Sequence, residues 1–270
     1  MSLVNTNWLE ENLNKVKIID CSWDLPSANK NFEKEFKNEH IPNAIFFDLD
    51  KNSKKDTDLP HMLPSKDDWD QIVSKLGISK KDRIVIYDNS NVISSCRCWY
   101  TFIYFGHSPK LVSILDGGFR KWKKEKKITS SKITKFSETN YSSTELNILV
   151  KDKNEIDSNI VAKNFVVVDA RSKERFEGTS SDPRKNVRSG SIPNSVCLPF
   201  SQVVNEDYCF KSRDHLKKIF EKTLPKRSDL PVFSCGSGVT ACVLALAYSL
   251  VNANYLPVIY DGSWAEYGKI

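Results

Sequence analysis

The sequence lacks any apolar run of the length that a membrane span needs, about 20 residues. Its mean hydropathy of −0.44 is that of a globular protein. Residues 1–14 carry acidic and polar side chains with no apolar core among them, so we expect no signal peptide and no membrane partner.

Cysteine is neither frequent nor spaced for a metal. The chain has seven cysteines in 270 residues, an odd number, and the shortest intervals are Cys96 to Cys98 and Cys235 to Cys242. Neither interval belongs to a recognisable zinc motif or disulfide framework. We therefore expect reduced thiols, a cytoplasmic location, and no metal or other cofactor.

The chain also lacks a basic stripe interleaved with aromatic residues, although its net charge is +6. The charge comes mostly from scattered lysines, and the densest run, 121–127, has the composition of a solvated helix end. Without a nucleic-acid-binding motif, a nucleic-acid partner is not expected. The mild positive field favours a small anionic substrate instead.

Arginine is scarce, yet it is clustered. Only nine arginines occur, and four of them, Arg171, Arg175, Arg184 and Arg188, fall within 18 residues. A guanidinium group can bind a carboxylate through two parallel hydrogen bonds, so two arginines could share an α-keto acid. The alternative is a set of surface arginines in a loop, and for Arg171 and Arg188 we favour a structural salt bridge.

Residues 231–247 have the pattern of a buried strand, a tight loop and an apolar helix, and the loop opens on Cys235. Gly236 and Gly238 allow backbone angles closed to other residues. Such a loop turns its N–H groups inward over a helix N-terminus, which favours an anion. A thiol held there is expected to ionise readily and to act as a nucleophile. The alternative is a half-buried structural cysteine before a glycine-rich turn.

Landmarks of the first half recur in the second. Residues 18–20 recur at 167–169, 41–43 at 192–194, 87–88 at 234–235 and 115–118 at 260–263, with offsets of 149, 151, 147 and 145 residues. We infer a duplicated domain. The predicted ranges are 1–127 for an N-terminal domain, 128–144 for a linker and 145–270 for a C-terminal catalytic domain.

Each half alternates short apolar strands with helices, which predicts an α/β fold with a mostly parallel sheet flanked by helices on both faces. The active site of such a sheet lies beyond the carboxyl ends of its strands. Asp88 stands where the second half has Cys235. The N-terminal copy is therefore predicted to be inactive as a nucleophile and to cover the other copy's site.

These residues together give the chain a close resemblance to the two-domain rhodanese-like sulfurtransferases, and more narrowly to the 3-mercaptopyruvate sulfurtransferases. The resemblance covers nearly the whole length and is carried by the segments 20–23, 40–42, 59–64, 115–118, 169–171, 175–178, 182–184, 235–241 and 260–264. Within the family, the Cys-Gly-Ser-Gly-Val-Thr loop marks mercaptopyruvate users. The chain departs from the usual pattern at Ser191, Asn194 and Cys96, none of which lies in that loop.

The resemblance implies a mechanism and a set of residues. Cys235 would take sulfur from 3-mercaptopyruvate as a persulfide, release pyruvate, and pass the sulfur to cyanide or to a thiol such as thioredoxin or a low-molecular-weight thiol. By resemblance, the substrate-binding and catalytic residues are Arg175, Arg184, Gly236, Gly238, Val239, Thr240, Ser237, His61 and Asp50. Chemically, a Ser-His-Asp group near the nucleophile could move a proton on the substrate.

Three alternatives stay open at this stage. Thiosulfate sulfurtransfer needs cations in the loop, and this loop has none. A cysteine phosphatase normally needs an arginine six positions after the cysteine, where this chain has Ala241. A regulatory rhodanese-like binding module usually lacks the cysteine.

Overall fold

The computed structural model describes residues 2–224 and 230–270. Internal contacts divide the chain into two compact units. The first comprises residues 1–55, 63–146 and 206–209, and the second comprises 56–62, 147–205 and 210–270. Each unit therefore includes a short segment from the other half of the sequence.

The first unit is built on a five-stranded parallel sheet. Its strands are β1 (Leu3–Val4), β2 (Lys17–Asp20), β3 (Ala44–Phe46), β4 (Ile84–Tyr87) and β5 (Val112–Leu115). Its helices are α1 (Thr6–Asn12), α2 (Phe32–Asn38), α3 (Lys66–Lys75), α4 (Ser95–Tyr104) and α5 (Gly118–Lys124). The strand order is β1-β5-β4-β2-β3, and every pairing is parallel.

The second unit repeats this plan. Its strands are β6 (Val150–Lys151), β7 (Val166–Asp169), β8 (Val196–Cys197), β9 (Pro231–Ser234) and β10 (Ile259–Tyr260). Its helices are α6 (Lys153–Ala162), α7 (Lys173–Glu177), α8 (Arg213–Thr223), α9 (Val239–Val251) and α10 (Ser263–Tyr267). The order β6-β10-β9-β7-β8 matches that of the first sheet strand for strand.

Burial explains why these short segments form central strands. All four residues of β4 and all four of β9 are buried, as expected for strands covered on both faces. The apolar core of the first unit includes Ile18, Val85 and Trp122, and that of the second includes Val232 and Trp264. Strands β4 and β9 hold the middle of their sheets, so the residues that follow them emerge at the centre of the carboxyl edge.

The predicted α/β fold with two flanked parallel sheets is confirmed. Helix α4 begins at Ser95. The carboxylate of Asp88 accepts a hydrogen bond from the Ser95 amide at 3.0 Å and so satisfies one of the N–H groups in the first turn of the helix.

The segment predicted as a linker, 128–144, packs along the first unit. Ser130 forms a bridge with His40, and the Thr139 amide donates to Ser74 O at 3.0 Å. Tyr141 is buried, with 3% of its surface exposed. The exact domain ranges stay a prediction.

Within the described part of the chain, no helix is both long enough and apolar enough to cross a membrane.

Candidate active site

Cys235 follows the last residue of β9 at the centre of the second sheet's carboxyl edge. Only 2% of its surface is exposed. The chain then turns through Gly236, Ser237 and Gly238, and α9 begins at Val239. Gly238 has φ +78°, a conformation that a side chain disfavours, so the predicted need for glycine applies at this position.

Ser263 holds this loop from behind. The amides of Cys235 and Gly238 each donate to Ser263 Oγ at 3.2 Å, and that hydroxyl donates to Tyr260 O at 2.8 Å. The amide of Trp264 donates to Cys235 O at 3.0 Å. The segment after β10 thus fixes the shape of the cysteine loop. Sequence reasoning noted the 260–264 motif but assigned Ser263 no role.

Four backbone N–H groups of the loop are left for a ligand. Those of Gly236, Ser237, Val239 and Thr240 donate to no acceptor among residues 2–224 and 230–270. Because the amides precede or begin a 13-residue helix, its dipole adds positive potential at the same place. The loop can therefore hold a negative charge next to the Cys235 sulfur.

Arg175 and Arg184 lie against this loop. A Cβ atom at position 236 would be 3.1 Å from Arg184 Nη1 and 3.4 Å from Arg175 Nη2. A side chain at this position would therefore press on the Arg184 guanidinium and touch that of Arg175. Here the close approach, rather than a special backbone angle, favours glycine.

Asp182 joins the two arginines. Its Oδ2 accepts from Arg175 Nη2 at 2.6 Å, and its Oδ1 accepts from Arg184 Nη1 at 3.3 Å and from the Arg184 amide at 3.0 Å. The Asp182 side chain is 1% exposed, whereas each arginine side chain is 22% exposed. Sequence reasoning quoted the 182–184 motif but gave Asp182 no role.

Ser237 and His61 meet in the second unit. Ser237 Oγ and His61 Nδ1 share a hydrogen bond of 3.0 Å, and both residues are buried. His61 has φ +59°, which is uncommon for a residue other than glycine and often marks functional positions. The pair expected from the family resemblance is thus in hydrogen-bond contact, while its role in catalysis stays a prediction.

Asp50 lies in the first unit, where its Oδ2 accepts from Trp23 Nε1 at 3.0 Å. Its membership of the predicted Ser-His-Asp group stays a prediction.

The other two clustered arginines are held by structural contacts. Arg171 forms a buried pair with Asp169, Nη2 to Oδ2 at 2.7 Å. The guanidinium of Arg188 lies 4.6 Å from the Trp264 ring centroid. The salt bridge expected for both is thus present for Arg171, whereas Arg188 forms none among the described residues.

The Rhodanese-like domain model matches residues 5–125 and 152–269. The chain belongs to the rhodanese-like domain family. It is 37% identical to the thiosulfate/3-mercaptopyruvate sulfurtransferase 1, mitochondrial, of Arabidopsis thaliana, over 98% of this chain and 75% of that protein. It is 36% identical to the mouse 3-mercaptopyruvate sulfurtransferase, over 98% and 91%. The crystal structure of SseA, a 3-mercaptopyruvate sulfotransferase from Escherichia coli, superposes with a TM-score of 0.87 at 28% identity, over 98% and 99%.

The N-terminal rhodanese-like domain has the corresponding loop, and there the residue after the strand is Asp88. Its Oδ1 accepts from the Ser90 amide at 2.9 Å and from Ser90 Oγ at 2.8 Å, and its Oδ2 accepts from the Ser95 amide at 3.0 Å. The carboxylate of Asp88 thus satisfies the amides of Ser90 and Ser95.

A second difference between the two rhodanese-like domains lies one strand away. Asp20, at the end of β2, is buried beside Ser22, whose amide and hydroxyl donate to its Oδ1 at 2.9 and 2.5 Å. Burial raises the pKa of Asp20 to about 6. The corresponding Asp169 is instead paired with Arg171.

Proposed function

We propose that this chain is a 3-mercaptopyruvate sulfurtransferase with Cys235 as its nucleophile. The observation that carries the proposal is the placement of Arg175 and Arg184 against a neutral loop that begins with Cys235. The arginines offer donors that match a carboxylate, and the loop amides offer a place for the charge on sulfur. Relatives that span nearly the whole chain are named for this activity.

In the proposed reaction, the Cys235 thiolate attacks the sulfur atom of 3-mercaptopyruvate. The new bond joins the two sulfurs, the carbon–sulfur bond breaks, and its electron pair leaves as the enolate of pyruvate. The enolate takes the proton that the substrate thiol carried. The products are pyruvate and a Cys235 persulfide anion beside the loop amides, so that atoms and charge balance.

In the second half-reaction, the thiolate of an acceptor attacks the outer sulfur and releases the Cys235 thiolate. The Ser237–His61 hydrogen bond supports a part for this pair in moving the substrate proton, since a hydroxyl backed by an imidazole can accept or deliver one. The acceptor that we propose is a thiol of the thioredoxin or low-molecular-weight class. We also keep the proposal of a cytoplasmic location, supported by seven cysteines that form no disulfide, and cell fractionation would test it.

The experiment is a donor comparison on the purified chain. Pyruvate release from 3-mercaptopyruvate is measured beside thiocyanate formation from thiosulfate and cyanide, with Cys235→Ser as the inactive variant. Cys242→Ser is the matched control, because Cys242 is fully buried in α9 and its Sγ donates to Gly238 O. We expect activity mainly with mercaptopyruvate, lost in Cys235→Ser and largely kept in Cys242→Ser. A clear preference for thiosulfate would make the thiosulfate alternative the better assignment.

A further inference from the structure

Asp182 has a carboxylate that is almost fully buried beside Arg175 and Arg184, with 1% of its side chain exposed, and the proposed reaction gives its charge no role. It accepts three hydrogen bonds, two from guanidinium groups and one from the Arg184 amide. Burial acts to raise its pKa, but the Arg175 and Arg184 contacts prevail and lower the pKa below its ordinary value. Asp182 is therefore ionised at neutral pH.

The orientation of this cluster leaves part of each arginine unused by the protein. Arg175 Nη1 and Arg184 Nη2 donate to no acceptor within residues 2–224 and 230–270. The carboxylate is turned inward, while the guanidinium groups are partly exposed and lie beside Gly236. Asp182 thus binds one nitrogen of each guanidinium group and leaves another nitrogen of each group to donate to a ligand.

Charge counting shows what kind of ligand suits the cluster. Two guanidinium groups carry two positive charges, and the Asp182 carboxylate removes one, so the net charge of the three side chains is +1. A single carboxylate balances that charge. A dianion such as thiosulfate would leave one negative charge unbalanced in a partly desolvated place, where an unbalanced charge costs more than it does in water.

We propose that Asp182 is a positioning residue that also determines specificity, by orienting Arg175 and Arg184 and by limiting the cluster to the charge that matches a monocarboxylate donor. This inference rests on the proposed function, because it explains how the same two arginines favour mercaptopyruvate over thiosulfate.

The test replaces Asp182 with asparagine, which keeps the shape and removes the charge. We expect kcat/KM for mercaptopyruvate to fall about tenfold or more, as for the loss of a charged hydrogen bond. Because the cluster then carries +2, we expect kcat/KM for thiosulfate to stay the same or rise, and to become more sensitive to added salt. The donor ratio therefore shifts toward thiosulfate by at least about tenfold.

Two variants serve as controls. Asp182→Glu keeps the charge and is expected to hold the donor ratio near the wild-type value. Asp157→Asn also removes one negative charge from this domain, but Asp157 lies half-buried on α6 in an ion pair with Lys153, so its donor ratio is expected to stay unchanged. An equal loss with both donors in Asp182→Asn would overturn the proposal and leave Asp182 a purely structural role.

A binding measurement separates this inference from the proposed function, and its wild-type part does not depend on the variant folding. Calorimetric titration of the wild-type protein with pyruvate and with sulfate compares a monocarboxylate with a dianion directly. We expect pyruvate to bind more tightly, and sulfate to gain affinity in Asp182→Asn. Tighter binding of sulfate by the wild type would overturn the charge argument, whereas absence of mercaptopyruvate turnover would sink only the proposed function.

Discussion

The loop after β4 and the loop after β9 occupy the same place in two sheets of the same strand order. They differ in the acceptors that their backbone N–H groups have. In the first, Asp88 turns its carboxylate onto the loop and satisfies the amides of Ser90 and Ser95. In the second, Ser263 braces the loop from behind, and four amides have no acceptor in the part of the chain that the structure describes. The N-terminal loop therefore lacks more than a nucleophile, because the Asp88 side chain already occupies the position beside its amides.

We expect the largest effect when the second loop receives the aspartate that the first loop has at the same position. In Cys235→Asp, we expect sulfur transfer to fall to background, as in Cys235→Ser. The new carboxylate can accept from the loop amides, and hydrogen bonds to a charged acceptor are worth about 1.5–3 kcal/mol. Thermal denaturation is therefore expected to show Cys235→Asp melting about 2 to 6 °C above Cys235→Ser. Equal melting temperatures would show that the open amides do not form an anion site.

The two arginines beside the second loop give the next largest effect. In Arg175→Ala and in Arg184→Ala, we expect kcat/KM for mercaptopyruvate to fall by about 100-fold, as for removal of a charge-paired contact in a closed site. Arg175→Lys and Arg184→Lys are expected to recover only part of the loss, since lysine lacks the planar fork. Full recovery by lysine would show that charge alone binds the substrate.

Gly236 tests the part of the comparison that concerns the space between the second loop and the arginines. The Cβ atom of Gly236→Ala would lie 3.1 Å from Arg184 Nη1, so we expect the guanidinium to be displaced. A displacement of this kind is expected to lower kcat/KM for mercaptopyruvate by about tenfold, mainly through KM. The melting temperature, measured in parallel, is expected to change little, because the arginine side chain is partly exposed and can move.

The last prediction concerns the buried carboxyl group of the N-terminal domain, where we expect an effect on stability and none on sulfur transfer. Burial raises the pKa of Asp20 from 3.8 to about 6, so the folded state favours the protonated form. The stability that this preference contributes is complete below about pH 4 and is lost as the pH rises through about 6. Because asparagine does not ionise, Asp20→Asn is not expected to lose this stability as the pH rises. Denaturation at pH 4 and at pH 7.5 is expected to show the variant gaining about 2 to 3 kcal/mol on the wild type over this range.

The sequence predicted much of the fold and the centre of the site, because the signals for both are local. The strand, the cysteine, the two glycines and the apolar helix are contiguous between 231 and 251, and the duplication is visible as four nearly constant offsets. The role of Ser263 could not be predicted in this way. It contacts Cys235 from 28 residues away, through the arrangement of β9 and β10 in the sheet.

The hydrogen bonds that the Asp182 and Asp88 carboxylates accept were missed for a different reason. An acidic residue before a proline, or at the start of a polar loop, is ordinary in sequence, and its importance depends on which donors surround it. Only the structure shows that Asp182 accepts from two guanidinium groups and that Asp88 accepts from its own loop. The signal that could have pointed to Asp182 is its place between two clustered arginines in a chain with few.

The segments 56–62 and 206–209 each belong to the compact unit of the other half of the chain. This exchange determines whether the duplicated halves can be separated. Residue His61 is encoded in the N-terminal half, but its segment is counted with the second unit, where it bonds to Ser237. A C-terminal fragment beginning at residue 145 would retain its nucleophile, its arginines and its brace, and would have no imidazole at Ser237. The two halves can therefore no longer work as separate proteins. Splitting the chain in the middle would give one half with no thiol at its loop and another half without His61.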